Sequence, residues 1–512
     1  MPYDFLRLYL TQDFVDMVTV KSKLYCVRKG EPDKQTTMTP DSILTSIGVM
    51  YLTGYLCPAH KEMYWQDRVD TQNMFVKKAI SRNRYQDVLR FTYFVEPEDA
   101  DLGDSFWKVR PLFEHINSRA RDLIEQPEWV SVDESIIRYF GPHPLKQSIR
   151  EKPERYGYKV WCLCTSSGEL LACQPYAGAK TLIPDQGLGQ GPNVVLGLAE
   201  EYGLQPGTKV SMDNLFTSFD LCDHMAERGW GLVGTLRQNR LVGVPLPNKK
   251  EAFKNMDRGE IEAVYSDNIC ATVWRDSQPV FVGSNFSGPD PVGTCQRFAG
   301  PGKGYTSVPC PRMVLDYNET MGGVDQLNQN VKNYAITPRQ HKWYWAIWTW
   351  FLNVQMVQAW RLYRHIYKKR HQIIKDQEKI EDEEFEARLS SQPMLSTVKQ
   401  QQRREREEEK RRKRKEEKKK EEMSLLDFTR ECVELLLLNH GESRSVHQRE
   451  NAARVSSGSQ QAIRFDLSRS HLIVLTEVTG RCMQCLKRSL YRCETCGVGL
   501  HPNCFKDYHT NH

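Results

Sequence analysis

Through the first 126 residues apolar positions recur at three- and four-residue intervals, as in Phe14-Val15-Met17-Val18 and Ile43-Ile47-Met50. That period predicts a set of helices separated by loops such as Glu96-Pro97-Glu98-Asp99. From Trp129 the pattern shortens to that of strands. Residues 159–164 and 170–173 flank Ser166-Ser167-Gly168 and predict a hairpin. A helix is expected over about 194–202, closed by Gly203, then a strand over 209–213, a helix over 218–228 and a strand over 231–236. Three strands, a helix, a strand, a helix and a strand make an α+β protein with a mixed sheet. Between Gln238 and about Ser307 Gly, Pro and Asn become common around a β-like stretch over 271–282, which reads as an insertion with a scaffold role. Arg339-Gln340-His341-Lys342-Trp343 then opens a helix carrying Trp345, Trp348, Trp350 and Trp360. Aromatic residues at helical spacing are expected in a core. Its most apolar part, 343–360, holds Asn353, Gln355 and Gln358 between charged flanks, so it reads as a buried or amphipathic helix and not a membrane span. No signal-type apolar stretch opens the sequence.

At 512 residues the chain accommodates two to four domains with sizeable cores. A formal charge of +6 is mild. Its distribution says more, because basic residues concentrate between Arg403 and Lys420. Alternation with Glu405–Glu409 supplies i,i+4 pairs for a solvated charged helix. The compact run Lys410-Arg411-Arg412-Lys413-Arg414-Lys415 also has the character of a nuclear import signal or a phosphate-contacting patch. The expected location is therefore the nucleus.

Ten of the fifteen cysteines are scattered from Cys26 to Cys432 without framework spacing, as for free thiols in a reducing compartment. Five fall in the last 31 residues. There Cys482-x₂-Cys485, Cys493-x₂-Cys496, His501-x₂-Cys504 and His509-x₂-His512 form four pairs with the spacing of tetrahedral Zn²⁺ ligands. The short spacers suggest interleaving: Cys482, Cys485, His501 and Cys504 on one ion; Cys493, Cys496, His509 and His512 on the other. So small a segment has little apolar core, and metal binding would supply its folding energy.

Three aspartates carry the candidate chemistry. Asp133 follows Val130-Ser131-Val132, Asp213 follows Val210-Ser211-Met212, and Asp325 follows a Gly322-Gly323-Val324 turn into an amphipathic stretch. The first two are expected at the C-terminal ends of strands, the third at the start of a helix. Aspartates at such places also serve as turn formers and caps. Brought together, three carboxylates suit Mg²⁺, and two ions about 3.5–4 Å apart can hold the attacking and leaving oxygens of a phosphodiester exchange.

The words around these residues resemble the piggyBac-like family of DNA transposases. The matching blocks are Ser131-Val132-Asp133-Glu134, Lys152-Pro153-Glu154-Arg155-Tyr156-Gly157-Tyr158-Lys159, Asp213-Asn214-Leu215-Phe216-Thr217-Ser218, and Tyr317-Asn318-Glu319-Thr320-Met321-Gly322-Gly323-Val324-Asp325. With the cysteine-rich tail they cover essentially the whole chain. The resemblance implies an RNase H-like catalytic domain (128–237 and 305–335) with a β-rich insertion (238–304). It implies a helical dimerisation and DNA-binding domain in two parts (1–127 and 336–425), a linker (426–478) most polar from about Asn439 to Arg469, and a cross-brace zinc domain (479–512) that recognises the transposon end. It further implies a homodimer acting on double-stranded DNA, with two catalytic Mg²⁺ on Asp133, Asp213 and Asp325, two structural Zn²⁺, hairpinned ends and insertion at TTAA. Lys152, Lys159, Arg339, Lys342 and Trp343 are candidate DNA contacts, Trp343 as a stacking surface for an unpaired base. Many family members carry a fourth acidic residue three positions after the third aspartate; here that residue is Asn328, which keeps an oxygen able to ligate or hydrogen-bond but brings no charge. The acidic leader common in such transposases is not expected ahead of the first helix. Two other readings fit: a domesticated nuclear DNA- or chromatin-binding protein with an idle nuclease, and a zinc-dependent protein-interaction factor working through the tail.

Overall fold

The fold was obtained as a computed structural model, which describes residues 1–149, 154–298, 300, 304–338, 340–390, 409, 423–442 and 472–510. Lys152, Arg339, His512 and all of the charged run but Glu409 lie outside the described residues. The chain divides into two compact units, 1–441 and 442–512.

The first unit begins with six helices: α1 (Pro2–Tyr9), α2 (Gln12–Arg28), α3 (Pro40–Leu52), α4 (Met74–Ala79), α5 (Arg82–Phe91) and α6 (Arg110–Leu123). Their starts are written locally. Thr11, Thr39, Asn73 and Ser81 each accept a hydrogen bond from the first-turn backbone of α2 to α5, and Pro40 occupies the first turn of α3, where a missing N–H costs nothing.

The sheet follows: β1 (Trp129–Arg138), β2 (Gln147–Ser148), β3 (Tyr156–Thr165), β4 (Leu170–Pro175), α7 (Gln190–Tyr202), β5 (Lys209–Met212), α8 (Phe219–Glu227) and β6 (Gly231–Thr235). β4, β3 and β1 are antiparallel, while β1, β5 and β6 run parallel. Gly203 ends α7 in the left-handed region (φ 82°), the conformation a glycine takes at lowest cost. The expected strand–helix order is thus present, as a mixed sheet.

Two features depart from the sequence reading. Asp133 sits in the middle of β1 and not at its end. The parallel partner β5 stops at Met212, but β3 is ten residues long and keeps pairing with β1 as far as Arg138. The insertion also joins the sheet. After α9 (Lys249–Asn255), strands β7 (Ile261–Ser266), β8 (Ile269–Arg275) and β9 (Pro279–Ser284) extend it through β9 against β6; only β10 (Gly293–Phe298) and β11 (Tyr305–Cys310) form a hairpin apart.

α10 (Arg312–Thr320) and α11 (Gly323–Lys332) then return to the centre of the sheet, and the tryptophan-rich α12 (Trp345–Ser390) buries Trp345, Trp348, Trp350 and Trp360 in the helical core. No helix among the described residues is long and apolar enough to cross a membrane.

The segment read as a linker from residue 426 opens with a helix instead, α13 (Leu425–His440), capped by Ser424. It buries Leu425, Phe428, Cys432, Val433, Leu436 and Leu437. Its last residue reaches the start of the chain: His440 Nδ1 lies 2.8 Å from Asp41, and its Nε2 lies 2.6 Å from the Tyr3 hydroxyl. In the second unit β12 (Ile473–Arg481) pairs with β13 (Arg488–Cys493), and α14 (Pro502–Thr510) closes the module. Structure there begins before residue 479, since a short metal-rich segment still needs a hairpin to carry its first ligand pair.

α11 lies very close to the sheet. A Cβ on Gly323 would stand 2.6 Å from Ser131 Oγ and inside contact distance of the Thr165 carbonyl, whereas one on Gly322 would meet nothing within 4 Å. Gly323→Ala should therefore destabilise the first unit by about 1–3 kcal/mol, and Gly322→Ala by no more than about 0.5 kcal/mol. Denaturant unfolding of the two variants checks this; equal effects would show that α11 has room to move.

Candidate functional site: a carboxylate face and a cysteine–histidine module

In the parallel ladder Ser131 pairs with Ser211 and Val132 with Met212. The residues that follow are Asp133 and Asp213, so two carboxylates leave adjacent strands at the same level. Alternation puts them on the face that carries Ser131 and Ser211. Small side chains there let the α10–α11 pair approach: Ser211 and Thr320 share a short hydroxyl–hydroxyl hydrogen bond, and Thr320 Oγ1 donates to the Asp316 carbonyl at 2.6 Å. Asp325 occupies the first turn of α11, where the helix N-terminus favours a negative charge.

Tyr317 on α10 reports the convergence. Burial pushes its phenol up to about 12, a hydrogen bond with the Thr235 side chain works against that, and Asp213, Asp133 and Asp325 each add to the rise. One hydroxyl thus feels all three carboxylates. The sequence reading missed Tyr317 as a site residue, although it opens the block that ends at Asp325.

The second aspartate is held by its own motif. Asp213 Oδ1 accepts from Leu215 N–H at 2.7 Å, and its carbonyl accepts from the backbones of Phe216 and Thr217 and from Thr217 Oγ1. Arg240 clamps the turn by donating to the carbonyls of Leu215 and Thr217, and Ser218 caps α8. Asp133 Oδ1 accepts from the Glu134 backbone at 2.7 Å. At the fourth position the Ser135 hydroxyl donates to Asn328 Oδ1 at 2.6 Å. The Asn328 amide oxygen is therefore engaged in tying α11 to β1.

The DNA-contact candidates separate. Lys159 is paired with Ile136, on the face away from Asp133; its ammonium stands 3.7 Å over the Trp161 ring and 3.9 Å from Glu134. Lys342 donates to the Arg90 carbonyl. Trp343 stacks on His143 at 4.5 Å and meets Tyr158 edge-on. Tyr158 pairs with Ile137, four residues or about 13 Å along β1 from Asp133.

In the second unit the ligand atoms of Cys482, Cys485, His501 and Cys504 lie within 4.8 Å of one another, and so do those of Cys493, Cys496 and His509. This is the interleaved grouping that the spacing predicts, with His512 outside the described residues. Each histidine is oriented from behind. His501 has Nδ1 3.3 Å from Cys485 Sγ and Nε2 2.8 Å from the Arg488 carbonyl; His509 has Nε2 3.4 Å from Cys496 Sγ and Nδ1 2.7 Å from the Phe505 carbonyl. An N–H given to a carbonyl leaves the other nitrogen as a lone pair facing the thiols, the arrangement a metal-bound imidazole needs. The donor sets fit tetrahedral metal ions. His501→Ala should remove one bound metal equivalent, measured by elemental analysis after dialysis, and leave the melting of the first unit unchanged. Full retention of metal would show that His501 is no ligand.

Comparison with known proteins follows the same lines. A family model described as Transposase IS4 matches residues 1–360. The chain is 28% identical over 512 residues to the human (Homo sapiens) PiggyBac transposable element-derived protein 3, spanning 99% of this chain and 76% of that protein. It is 30% identical over 368 residues to the human PiggyBac transposable element-derived protein 2, spanning 71% of this chain and 61% of that one. Among solved structures, the cryo-EM structure of the piggyBac transposase synaptic complex with hairpin DNA shares the fold, with a TM-score of 0.63 at 16% identity over 98% of this chain and 97% of that chain. Family model, relatives and fold agree with the motifs around the three aspartates, and the chain belongs to the piggyBac-type transposase family.

Proposed function

We propose that the chain is a cut-and-paste DNA transposase that nicks transposon ends, passes through hairpins and inserts at TTAA. The observation that carries this is the placement of Asp133 and Asp213 at matching positions after paired residues of β1 and β5, with Asp325 in the first turn of α11 and all three acting on the buried Tyr317 phenol, in a mixed sheet that we read as RNase H-like. Asp133, Asp213 and Asp325 would hold two Mg²⁺, which when bound polarise the phosphodiester and lower the cost of forming the attacking oxyanion. The chain's own residues position these carboxylates. Gly323 and Ser131 set the depth of α11, and the Leu215 N–H orients Asp213. Tyr317, held protonated by burial and by the carboxylates, serves as a neutral neighbour and not as a base. No protein nucleophile is required, because water attacks first and a DNA 3′-OH afterwards.

Zn²⁺ would occupy both groups of the second unit, with His512 completing the one that holds His509. Double-stranded DNA, a second copy of this chain and the nucleus complete the reading.

A second reading, a domesticated DNA-binding protein without catalysis, is favoured by one observation: Asn328 brings no fourth charge, and its oxygen is engaged by Ser135. Strand cleavage separates the two. On DNA carrying the element's own ends flanked by TTAA, with Mg²⁺, the wild type should nick at the end boundary. Asp133→Asn and Asp325→Ala should lose at least about a hundredfold in rate while still binding the same DNA. Tight binding without any cleavage by the wild type would establish the second reading, and unchanged cleavage by Asp133→Asn would remove that residue from the site.

A further inference from the structure

The β10–β11 hairpin carries one cysteine on each strand. Its ladder sets Gly293 opposite Cys310 and Cys295 opposite Val308, so strand alternation puts Cys295, Arg297 and Cys310 on one face. Burial follows the same alternation: Cys295 and Arg297 are half-buried between exposed neighbours, while Val308 and Cys310 are buried. Diagonal neighbours across a ladder stand farther apart than facing ones, yet these two thiols meet and share a hydrogen bond. Pro309 and Pro311 flank Cys310 and restrict the backbone that carries its thiol. Across the ladder Gly293 leaves room for α10, since a Cβ there would stand 2.5 Å from Leu315 Cδ1.

The two thiols differ. Cys310 is fully enclosed; burial, then the charge of Cys295 and the hydrogen bond with it, push its pKa up to about 12. Cys295 is the partly exposed member. Arg297, next along the same face, works against the rise at Cys310, and a cationic neighbour favours thiolate. Its guanidinium is held 2.9 Å from Asp276 and stands 5.6 Å from the Trp274 ring centroid. An accessible thiol touching a second, resolving thiol is the arrangement of a redox-sensing pair. Among the described residues no third ligand joins it, because both groups able to hold a metal lie in the second unit. Cys162 and Cys173 make the contrast: they face each other directly across β3 and β4, but both are sealed in the core, and burial raises both thiols.

We propose that Cys295 and Cys310 are a peroxide-responsive modification site, joined by a reversible disulfide when hydrogen peroxide reaches the hairpin. The Cys295 thiolate attacks one peroxide oxygen, the O–O bond breaks, and the other oxygen leaves as hydroxide, so Cys295 becomes a sulfenic acid. The Cys310 sulfur then attacks the Cys295 sulfur, forming the S–S bond and expelling the sulfenic oxygen as a second hydroxide. The protons given up by the two thiols convert both hydroxides to water; two thiols are oxidised and one peroxide is reduced. In a compartment that keeps thiols reduced such a bond is transient, and thiol exchange restores the pair. While it lasts, the root of the hairpin is closed two residues ahead of α10, the helix that carries Tyr317.

The test treats the full chain with hydrogen peroxide, blocks the remaining thiols with N-ethylmaleimide in denaturant, and maps tryptic peptides by mass spectrometry. Cleavage after Arg275, Arg297, Lys303 and Arg312 places Cys295 on peptide 276–297 and Cys310 on peptide 304–312. The two peptides should appear joined with loss of two hydrogens and separate again in dithiothreitol, while Cys162 and Cys173 stay fully alkylated. Cys310→Ser should strand Cys295 as a sulfenic acid that dimedone traps, and Cys295→Ser should leave Cys310 reduced. Oxidation of wild-type Cys295 without a link to Cys310, or its joining to another cysteine, would overturn the proposal. So would a Cys162–Cys173 link at the same peroxide dose, which would mean that the fold had opened and the hairpin was not singled out.

Discussion

The first unit depends on how near α11 can come to the sheet. A helix resting on a sheet normally keeps its backbone some 10 Å away, because side chains fill the gap. Here Gly323, Ser131 and Ser211 remove those side chains at the point of contact, and the Ser211–Thr320 hydrogen bond replaces apolar packing with a directional one. The aspartate in the first turn of α11 acts, together with Asp133 and Asp213, on the buried Tyr317 phenol. Burial energy could have been met by larger residues; the approach could not. The small-residue face is best understood as a positioning device whose cost in lost hydrophobic contact is met elsewhere, in the aromatic core of α12.

Much of this was legible in the sequence where the signal is local. Capping residues, the glycine after α7, the β3–β4 hairpin and the apolar periods of the helices are each written within a few positions. The same holds for the cysteine–histidine pairs, because a two-residue spacing fixes both side chains on one turn. What sequence could not show is non-local. Asp133 lies mid-strand only because β3 outlasts β5, and a strand's length is set by its partner. β7 to β9 read as an insertion, and only the pairing of β9 with β6 shows that they continue the sheet. The carbonyls of Arg488 and Phe505 that aim His501 and His509 belong to backbone, which has no letter in the sequence.

α13 is a different case. Ser424 with Asp427, then Leu425, Phe428, Cys432, Val433 and Leu436, is a complete helix signature that was overshadowed by the polar run after it. Asn328 shows the reverse. Its oxygen was countable in the sequence as a ligand, and only the neighbouring Ser135 hydroxyl reveals what it does. A side chain's inventory of lone pairs is a sequence property, while their direction is a property of the fold.

The contact of His440 with Tyr3 and Asp41 has a consequence for how the chain is made. The earliest helices wait for nearly the last residue of their own unit before their surface is covered. The three carboxylates likewise cannot meet until Asp325 has left the ribosome. Such long-range closure makes folding slow and leaves a growing chain with open sheet edges, exposed to misassembly and proteolysis. It also acts as a built-in delay: a product terminated before Asp325 carries two of the three aspartates and never the third.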